Sequence, residues 1–430
     1  MRVVRGSGGD RGGVGEGVLR RVATEVGTPV YVYDAGTIRS QYTALRTALA
    51  GIPHRLHYSV KANANLAVLR LIRGLGGGAD IVSGGELARA LRAGFEGRDL
   101  VFSGVGKTER ELEVALNAEV GLINLESHGE FDVVRRLARG RAAPVAVGLR
   151  INPDVTTETH PYTQTGQAGM KFGVPLDQVV ALARCVADEP ALALTSVGMH
   201  IGSQIADGAP YRAGAERLAG VVADLRAAGI TTLTSVDVGG GLGISYGRGM
   251  GMDPAEFAMA VAPLARVTGL PLLIEPGRFL VGNAGYLLTR VLYHKRSGGR
   301  EFVITDAGMN DLLRPSLYNA YHDVVVLDGA GGAGDPAGAA EGRLVDVVGP
   351  NCESGDFLAL DRRLDGAGPG ALLAVLGAGA YGFGMSFQYN SRPRAAEVLV
   401  DGGRYAVVRE REGTDDLMRG ETATPSWREA

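Results

Sequence analysis

The feature that most constrains the fold of this chain is a regular alternation of β-type and helical segments between residues 54 and 277. Eight short runs are rich in β-forming residues, and stretches of helical periodicity such as GGELARALRAG and TERELEVALNA lie between them. Eight strand-helix units in a span of this length predict an α/β fold, a (β/α)8 barrel of the TIM type, which takes roughly 250 residues. A doubly wound open sheet is the alternative, but it does not normally need eight such units in a row. The eight runs are HRLHYSVKA, ADIVS, LVFSG, LINLES, VAVGLRIN, TSVGMHIG, SVDVGGG and PLLIEPG.

The sequence changes character after residue 285. The β-rich runs there lack long helices between them, which predicts a mainly antiparallel β-sandwich or β-barrel domain. TPVYVYD near the start is a candidate strand of the same domain. We therefore expect a flexible segment 1–27, a barrel 35–285, a β domain made of 28–34 and 286–411, and a tail 412–430. The β-rich runs are YLLTRVLYHKR, REFVITDAG, RLVDVVGP, ALLAVLGAGAY, AAEVLVDG and YAVVRERE.

Composition narrows the class of partner. The chain has 430 residues, more than one compact core usually holds, and a net charge of −3, which gives no electrostatic reason to expect nucleic acid or an anionic membrane as a partner. The chain has only two cysteines and no apolar run that could span a bilayer. Its amino-terminal stretch lacks the apolar core of a secretion signal, so we expect a cytoplasmic protein. The Gly-rich stretch from Asp328 to Arg343 has little apolar surface, which predicts a mobile surface loop.

Residues suited to chemistry collect where the predicted strands end. In barrels of this type the reactive groups lie at the carboxyl ends of the strands, and phosphate is often bound after the seventh and eighth. Lys61 ends the first strand, His200 ends the sixth, GGGLG at 239–243 follows the seventh and EPGR at 275–278 follows the eighth. Glycines let backbone N–H groups approach an anion, although a tight turn is the alternative for a glycine run alone. The candidates for a phosphate cradle are Gly239, Gly240, Gly241, Gly243, Gly277 and Arg278.

A lysine, a phosphate cradle and a nearby carboxylate together indicate pyridoxal 5′-phosphate. The lysine amine attaches the cofactor covalently, and a carboxylate keeps its pyridine nitrogen protonated so that the ring accepts electrons. Glu275 is the candidate carboxylate, with an ion pair to Arg278 as the alternative. We favour a His200 ring that packs on the cofactor and a Ser203 hydroxyl near its phosphate over an ordinary core histidine.

Nine motifs carry a resemblance to a known family. They are YSVKANAN, THPYTQTGQAGMKFGV, HIGSQI, DVGGGLGI, EPGR, DAGMNDLLRPSLYNAYH, CESGDF, GAYG and YNSRPRAAEVLVDG. The motifs occur in the same order as in the fold type III pyridoxal-phosphate-dependent decarboxylases, and the chain resembles that family from about Thr28 to Glu410. Among them it is most similar to those that convert meso-2,6-diaminopimelate to L-lysine and carbon dioxide, the last step of lysine biosynthesis.

The resemblance implies a role for each matching residue. Lys61 would hold the cofactor covalently, and Arg278, Arg314 and Tyr318 would hold the distal amino-acid end of the substrate. Arginine suits that task because its planar fork binds a carboxylate through two hydrogen bonds. For Arg314 alone, a surface ion pair would be the alternative. The residues implied to surround the phosphate and ring are His200, Ser203, Gly240, Gly241, Glu275, Pro276, Gly277, Arg278 and Tyr381, the last also near the substrate.

Cys352 and Glu353 are implied to act in the site of a neighbouring subunit, so the resemblance implies a homodimer with shared active sites and no metal. Cys352 would donate a proton to the carbon that loses carbon dioxide, and Glu353 would contact the substrate amine. A polar, reactive setting is expected for Cys352. Cys185, within the apolar stripe of LDQVVALARCVAD, is expected to be a small buried hydrophobe.

Three other functions remain open on the sequence. A sibling decarboxylase would act on ornithine, arginine, carboxynorspermidine or a carrier-linked amino acid, but RPSLY, CES and THPY favour diaminopimelate. A catalytically silent relative is disfavoured by Lys61, Glu275, Arg278 and Cys352, and a racemase by the pair Cys352 and Glu353. Two departures from the family pattern are Phe279, where a small residue is usual, and the Gly-rich stretch 328–343.

Overall fold

The computed structural model describes residues 3–4, 13–155, 166, 169–327 and 344–428. The loop predicted at 328–343 therefore lies outside the described residues. The chain begins with an antiparallel pair, β1 (Val3–Val4) and β2 (Val14–Gly15), followed by helix α1 (Glu16–Glu25). Strand β3 (Val30–Asp34) and helix α2 (Ala35–Ala48) then lead into the next unit.

Within the segment 1–27, which was expected to be flexible, Glu16–Glu25 form helix α1. Its buried residues Leu19, Val22 and Ala23 recur at helical spacing, and they pack with apolar residues of the second sheet described below. The twelve Gly-rich residues at the start of the chain dominate the composition of the segment, and this short amphipathic period was missed for that reason.

Eight parallel strands close into the predicted barrel. Each strand pairs with the next in the chain, and the last pairs with the first through Leu272 and His54. The barrel strands are β4 (His54–Ser59), β5 (Gly78–Ile81), β6 (Leu100–Phe102), β7 (Leu122–Leu125), β8 (Val145–Ile151), β9 (Leu192–Met199), β10 (Ser235–Asp237) and β11 (Leu272–Ile274). All eight predicted strands are confirmed, so the open-sheet alternative is excluded.

Helices connect the barrel strands, and several begin at a polar side chain that caps free backbone N–H groups. Ser83, Ser127 and Asp253 accept hydrogen bonds at three such starts, and Thr108 forms a capping box with Glu111. These caps fix the points where the strand-end loops turn into helices. The helices are α3 (Leu66–Gly74), α4 (Gly84–Ala93), α5 (Glu109–Asn117), α6 (His128–Ala138), α7 (Leu176–Ala187), α8 (Ala209–Ala227) and α9 (Pro254–Thr268).

A second, mainly antiparallel sheet follows the short helix α10 (Arg278–Val281). Its long strand β12 begins at Gly285 and pairs with β3, β13 and β17. Its elements are β12 (Gly285–Ser297), β13 (Arg300–Thr305), α11 (Arg314–Tyr318), β14 (Val324–Leu327), β15 (Leu344–Val348), β16 (Phe357–Arg363), β17 (Leu372–Leu376), β18 (Ala396–Asp401), β19 (Arg404–Arg409) and α12 (Thr414–Leu417). Strands β14 and β16 were not predicted.

Strand β3 explains how this sheet is covered on both faces. Successive side chains of a strand point to opposite faces. Val30 and Val32 pack in the cluster that contains α1, whereas Tyr31 and Tyr33 pack in the main core. The sequence TPVYVYD thus supplies a strand that is buried on both faces and pairs with β12 and β18, as expected. No helix in the described part of the chain combines the length and apolarity needed to cross a membrane.

Candidate active site

A cavity of about 760 Å³ lies at the carboxyl ends of the barrel strands. Barrel loops form most of its wall, and residues of the second sheet's domain, including Arg314, Tyr318 and Tyr381, complete it. The predicted residues that line it are Lys61, His200, Ser203, Glu275, Arg278, Arg314, Tyr318 and Tyr381. The strand-end position expected for the chemistry is therefore where these side chains meet.

Lys61 lies in a single helical turn directly after β4. Its Nζ is 3.3 Å from Asp80 Oδ2, and its side chain remains 36% exposed. Burial alone lowers the pKa of the Lys61 ammonium, but Asp80, Tyr381 and Glu275 outweigh burial and raise its pKa above the usual value. The lysine is therefore held as a cation beside the cavity.

Asp80 was missed by the sequence analysis, which treated it as an ordinary residue of the ADIVS strand. The parallel register of β4 and β5 places Ser59 opposite Asp80, and the Ser59 hydroxyl donates to Asp80 Oδ2 over 3.1 Å. Asp80 Oδ1 is buried and has no hydrogen-bond partner among the described residues. An aspartate inside a predicted barrel strand, next to the strand that carries the lysine, was the available signal.

Glu275 follows β11 and is paired with a second carboxyl group, that of Asp237 at the end of β10. Burial raises the pKa of both groups, and the negative charges of Asp237 and Asp80 raise that of Glu275 further. Two carboxyl groups this close share a proton rather than both ionising. Glu275 thus pairs with Asp237, and no ion pair with Arg278 is found among the described residues, which removes that alternative. Asp237 was also missed.

His200 lines the cavity beyond the end of β9. Its Nδ1 accepts a hydrogen bond of 3.2 Å from the Gly240 N–H. Burial, and then the charges of Lys61 and Arg150, hold the pKa of His200 well below the usual value. The ring is consequently neutral and faces the cavity.

The glycine run after β10 is required by packing between rim loops. A Cβ at Gly240 would lie 2.1 Å from the Glu275 carbonyl oxygen, and one at Gly241 would lie 2.3 Å from the Gly202 carbonyl oxygen. Gly241 also has a φ of +94°, which favours glycine. Close packing alone accounts for the missing side chains at 240 and 241, so their contribution to a phosphate cradle stays a prediction.

Arg278 is buried at the start of α10, directly after EPG. It donates to the Ser203 hydroxyl over 2.9 Å and to the Tyr246 hydroxyl, and its guanidinium carbon lies 4.8 Å from the centre of the Tyr381 ring. Its Nε has no hydrogen-bond partner among the described residues. Pro276 and Gly277 lie against the lysine loop, since Ser59 N–H donates to the Pro276 carbonyl and a Cβ at Gly277 would lie 3.0 Å from Ser59 Cβ.

The second sheet's domain supplies Arg314 and Tyr318 from α11. Arg314 is buried, which removes the surface ion pair as an alternative, and its Nη1 is 2.7 Å from His322 Nε2. The guanidinium carbon also lies 4.7 Å from the centre of the Tyr246 ring. Tyr246, which contacts both Arg278 and Arg314, was not singled out from the sequence.

Cys352 and Glu353 are not among the residues that line the cavity of their own chain. Both are exposed, and the Cys352 N–H donates to Asn390 Oδ1 over 2.8 Å. Their predicted role in a neighbouring subunit stays a prediction.

Cys185 corrects an expectation. It is exposed rather than buried. The buried face of α7 consists of Val179, Leu182, Ala183 and Val186, and position 185 falls between the members of this stripe on the outer side of the helix.

Comparison with known proteins agrees with this site. Residues 35–282 match the family described as pyridoxal-dependent decarboxylase, pyridoxal binding domain. A diaminopimelate decarboxylase of Pseudomonas aeruginosa is 46% identical over 95% of this chain and 97% of its own length, and one of Neisseria meningitidis is 44% identical over 94% and 97%. The chain belongs to the diaminopimelate decarboxylase family of pyridoxal-dependent decarboxylases.

Solved structures of this family have the same fold. The diaminopimelate decarboxylase of Helicobacter pylori, solved with L-lysine, superposes with a TM-score of 0.88 at 37% identity, covering 93% of this chain and 98% of the other. That of M. jannaschii, also with L-lysine, gives a TM-score of 0.87 at 33% identity, and coverage is 94% of each chain.

The residues in the cavity fit the cofactor of the family, pyridoxal phosphate. The buried, proton-sharing pair Glu275 and Asp237 would gain a cationic partner from a protonated ring nitrogen. Arg278 Nε and Asp80 Oδ1 are buried atoms without a partner among the described residues, as expected where a polar ligand completes the site. Lys61 supplies the amine for covalent attachment.

Proposed function

We propose that this chain decarboxylates meso-2,6-diaminopimelate to L-lysine and carbon dioxide with pyridoxal phosphate as cofactor. The observation that carries the proposal is the near full-length match to diaminopimelate decarboxylases at 42–46% identity, joined to a cavity that contains a lysine, a buried carboxyl pair and buried arginines. Buried groups with perturbed pKa values concentrated in one cavity are typical of catalytic sites.

The cofactor is held by residues from several strand ends in this proposal. Lys61 would attach it, Glu275 would hold the proton on its ring nitrogen and the neutral His200 ring would pack against it. Bound pyridoxal phosphate supplies an electron sink for the electron pair released when carbon dioxide leaves. The residues proposed to surround its phosphate are Ser203, Gly240, Gly241, Pro276, Gly277, Arg278 and Tyr381.

The substrate's distal amino-acid end is held by Arg278, Arg314 and Tyr318. The two guanidinium groups are fixed before the substrate arrives, since Arg278 is bonded to Ser203 and Tyr246, and Arg314 lies 2.7 Å from His322. Fixed donors lose little conformational freedom when a carboxylate binds. Orientation of the reacting carbon follows from this grip at the far end of the molecule.

A second copy of the chain completes each site in this proposal. Cys352 of the partner subunit gives a proton to the carbon that has lost carbon dioxide, and Glu353 of the partner subunit binds the substrate amine. The exposure of Cys352 and its position outside its own cavity support this arrangement. We also propose a cytoplasmic location, supported by the free thiols of Cys185 and Cys352, which are usual in reducing compartments.

The function is tested by release of carbon dioxide and L-lysine from meso-diaminopimelate by the purified holoenzyme. Ornithine, arginine and carboxynorspermidine are assayed beside it. Stoichiometric lysine supports the proposal. A yellow protein that decarboxylates one of the other substrates instead would assign it to a sibling activity.

The shared site is tested by mixing two inactive variants. Lys61→Ala and Cys352→Ala subunits that exchange in a dimer form one intact site per mixed dimer, so about a quarter of the wild-type activity returns on mixing. If each site is built from one chain, mixing restores nothing. Sedimentation of the mixture confirms that dimers are present.

A further inference from the structure

Four arginines of the described part of the chain line the cavity, and three of them have polar partners. Arg150 is 3.1 Å from Glu126, Arg278 is bonded to Ser203, and Arg314 lies 2.7 Å from His322. The fourth, Arg248, lies in the loop between β10 and α9 and is exposed. It differs from the others because it has an aromatic contact and no polar partner among the described residues.

Arg248 is positioned by an aromatic ring. Its guanidinium carbon lies 4.3 Å from the centre of the Tyr321 ring, and Tyr321 itself lines the cavity. Its N–H donors have no hydrogen-bond or ion-pair partner among the described residues. Stacking fixes the plane of a guanidinium group while leaving its edge free to bind an anion.

A second arginine lies against the same ring. Arg362 has its guanidinium carbon 3.8 Å from the centre of Tyr321, so both guanidinium groups contact this ring. Arg362 does not line the cavity, and it donates to the His322 carbonyl over 3.3 Å. The two arginines share a stacking partner but not a position relative to the cavity.

We propose that Arg248 is a specificity-determining residue that binds the carboxylate at the distal end of the substrate. This inference rests on the proposed function. The proposed substrate carries a carboxylate at each end, and the one that is retained needs donors at the far side of the cavity from the lysine. Arg278 has an unpartnered Nε, but its Nη1 and Nη2 donate to Tyr246 and Ser203, and Arg314 Nη1 bonds His322. The donors of Arg248, by contrast, have no partner among the described residues, so Arg248 can add to the grip of the other two on the carboxylate.

The positive charge of Arg248 should also disfavour binding of molecules whose far end is cationic. A diamine or an amino acid with a cationic far end would place an ammonium group near Arg248, Arg278 and Arg314. Like charges in a cavity disfavour binding, so the loop arginine helps to reject such molecules. Recognition of the carboxylate and rejection of the ammonium are therefore expected to fail together in a variant that lacks the charge.

The test compares Arg248→Gln with Arg362→Gln. Each variant removes one guanidinium from Tyr321, but only the first removes one from the cavity. We expect Arg248→Gln to raise the KM for meso-diaminopimelate about tenfold with kcat within about twofold, because a charge-assisted bond made equally in the ground and transition states is lost. Arg362→Gln should leave both constants within about twofold of the wild type, and Arg248→Lys should give an intermediate KM.

Inhibition by product-like molecules supplies a second readout. The inhibition constant of L-lysine, which keeps the distal carboxylate, should rise in parallel with KM in Arg248→Gln. That of 1,5-diaminopentane, which has the same chain and no carboxylate, should stay constant or fall. A merely structural role for Arg248 would weaken both inhibitors alike.

The outcomes separate this inference from the proposed function. Absence of wild-type turnover of meso-diaminopimelate overturns both. Normal wild-type turnover with an unchanged KM in Arg248→Gln overturns only the role of Arg248. An equal loss in Arg362→Gln also overturns it, because the position of the Tyr321 ring would then be responsible.

Discussion

The two ends of the barrel bury polar groups in opposite ways. At the carboxyl end, Lys61, Asp80, Asp237 and Glu275 adjoin a cavity of about 760 Å³, and Asp80 Oδ1 has no hydrogen-bond partner among the described residues. At the amino end, a smaller cavity of about 240 Å³ contains Arg55 and His57 among apolar residues of the strand starts, including Val101, Leu122 and Leu273.

The two ends of the barrel differ in the protonation of their buried titratable groups. At the amino end, burial lowers the pKa of His57 to about 4, so the ring is neutral at physiological pH and packs over Gly78 like an apolar group. At the carboxyl end the carboxyl groups are crowded together with raised pKa values, an arrangement that lowers stability unless a ligand supplies a cation. One end of the barrel is therefore built for packing and the other for chemistry.

The sharpest test compares two residues at opposite ends of one strand. Lys61→Ala should remove the yellow colour of the purified protein and lower turnover by about 10³-fold or more, because covalent attachment and orientation of the cofactor are lost. Arg55→Ala, near the start of β4, should keep both properties. Absorption spectra and steady-state rates decide the matter, and a Lys61→Ala protein that stays yellow and active would show that the lysine is misassigned.

Glu275→Gln should lower kcat by about 10²-fold or more because a preorganised charge beside the cofactor is lost.

The same variant tests the raised pKa of Glu275 in the cofactor-free protein. A carboxyl group whose pKa is raised by folding stabilises the protein below its unfolded pKa of about 4.3, and this stability is lost as the pH rises through the folded pKa. The wild-type free energy of unfolding should thus fall as the pH rises above about 4.3, and Glu275→Gln should flatten that slope.

Exposed Glu113 provides the control, since Glu113→Gln should leave the slope unchanged. Denaturant titrations at several pH values measure all three proteins. An identical slope in the wild type and Glu275→Gln would mean that the carboxyl pair does not carry the shared proton.

Loss of the Cys352 thiol should lower kcat less than loss of Lys61 does, and loss of the other exposed thiol, Cys185, should have no effect. Cys352→Ala should retain the yellow colour and lower kcat by about 10²-fold, the usual contribution of a positioned proton donor. Cys185→Ala, on the outer face of α7, should match the wild type. Full activity in Cys352→Ala would remove this thiol from the mechanism.

The smallest effect is expected at the amino end and should appear in stability alone. A Cβ at Gly78 would lie 2.5 Å from both His57 Cδ2 and the Asp99 carbonyl oxygen, so Gly78→Ala should lower the free energy of unfolding by about 1–3 kcal/mol. Gly220, in α8, has nothing within 4 Å of the same position, and Gly220→Ala should raise it by about 0.5–1 kcal/mol. Urea unfolding measures both, and kcat should be unchanged. Loss of activity in Gly78→Ala at unchanged stability would contradict the separation of the two ends.

Much of the barrel was predictable because its signal is local. The period-two runs and the intervening helical periods identify each strand without knowledge of its neighbours. Strand β14 was missed because it has only four residues and borders the Gly-rich stretch, and β16 because its second half is charged, with the sequence DRR. Cys185 was wrongly expected to be buried because a shift of one residue along an amphipathic helix moves a side chain from the buried face to the exposed face.

Some residues of the candidate site were likewise predictable from local sequence, and others were not. Lys61, His200, Glu275 and Arg278 could be found because each stands at the end of a predicted strand, within a recognisable motif. Asp80 and Asp237 look like ordinary strand residues in the sequence. Their importance appears only when the register sets Ser59 opposite Asp80 and the barrel brings the ends of β10 and β11 together.

The sequence by itself determined the order of the strands, the barrel and the residues at its carboxyl end, because these depend on periodicity and on position relative to strand ends. The tertiary structure alone decided which groups share a proton, which arginine keeps its donors free among the described residues, and which cysteine is exposed. Those properties depend on distances between residues that are far apart in the chain, and such distances are set by strand register, barrel closure and the packing of the second sheet's domain against the barrel.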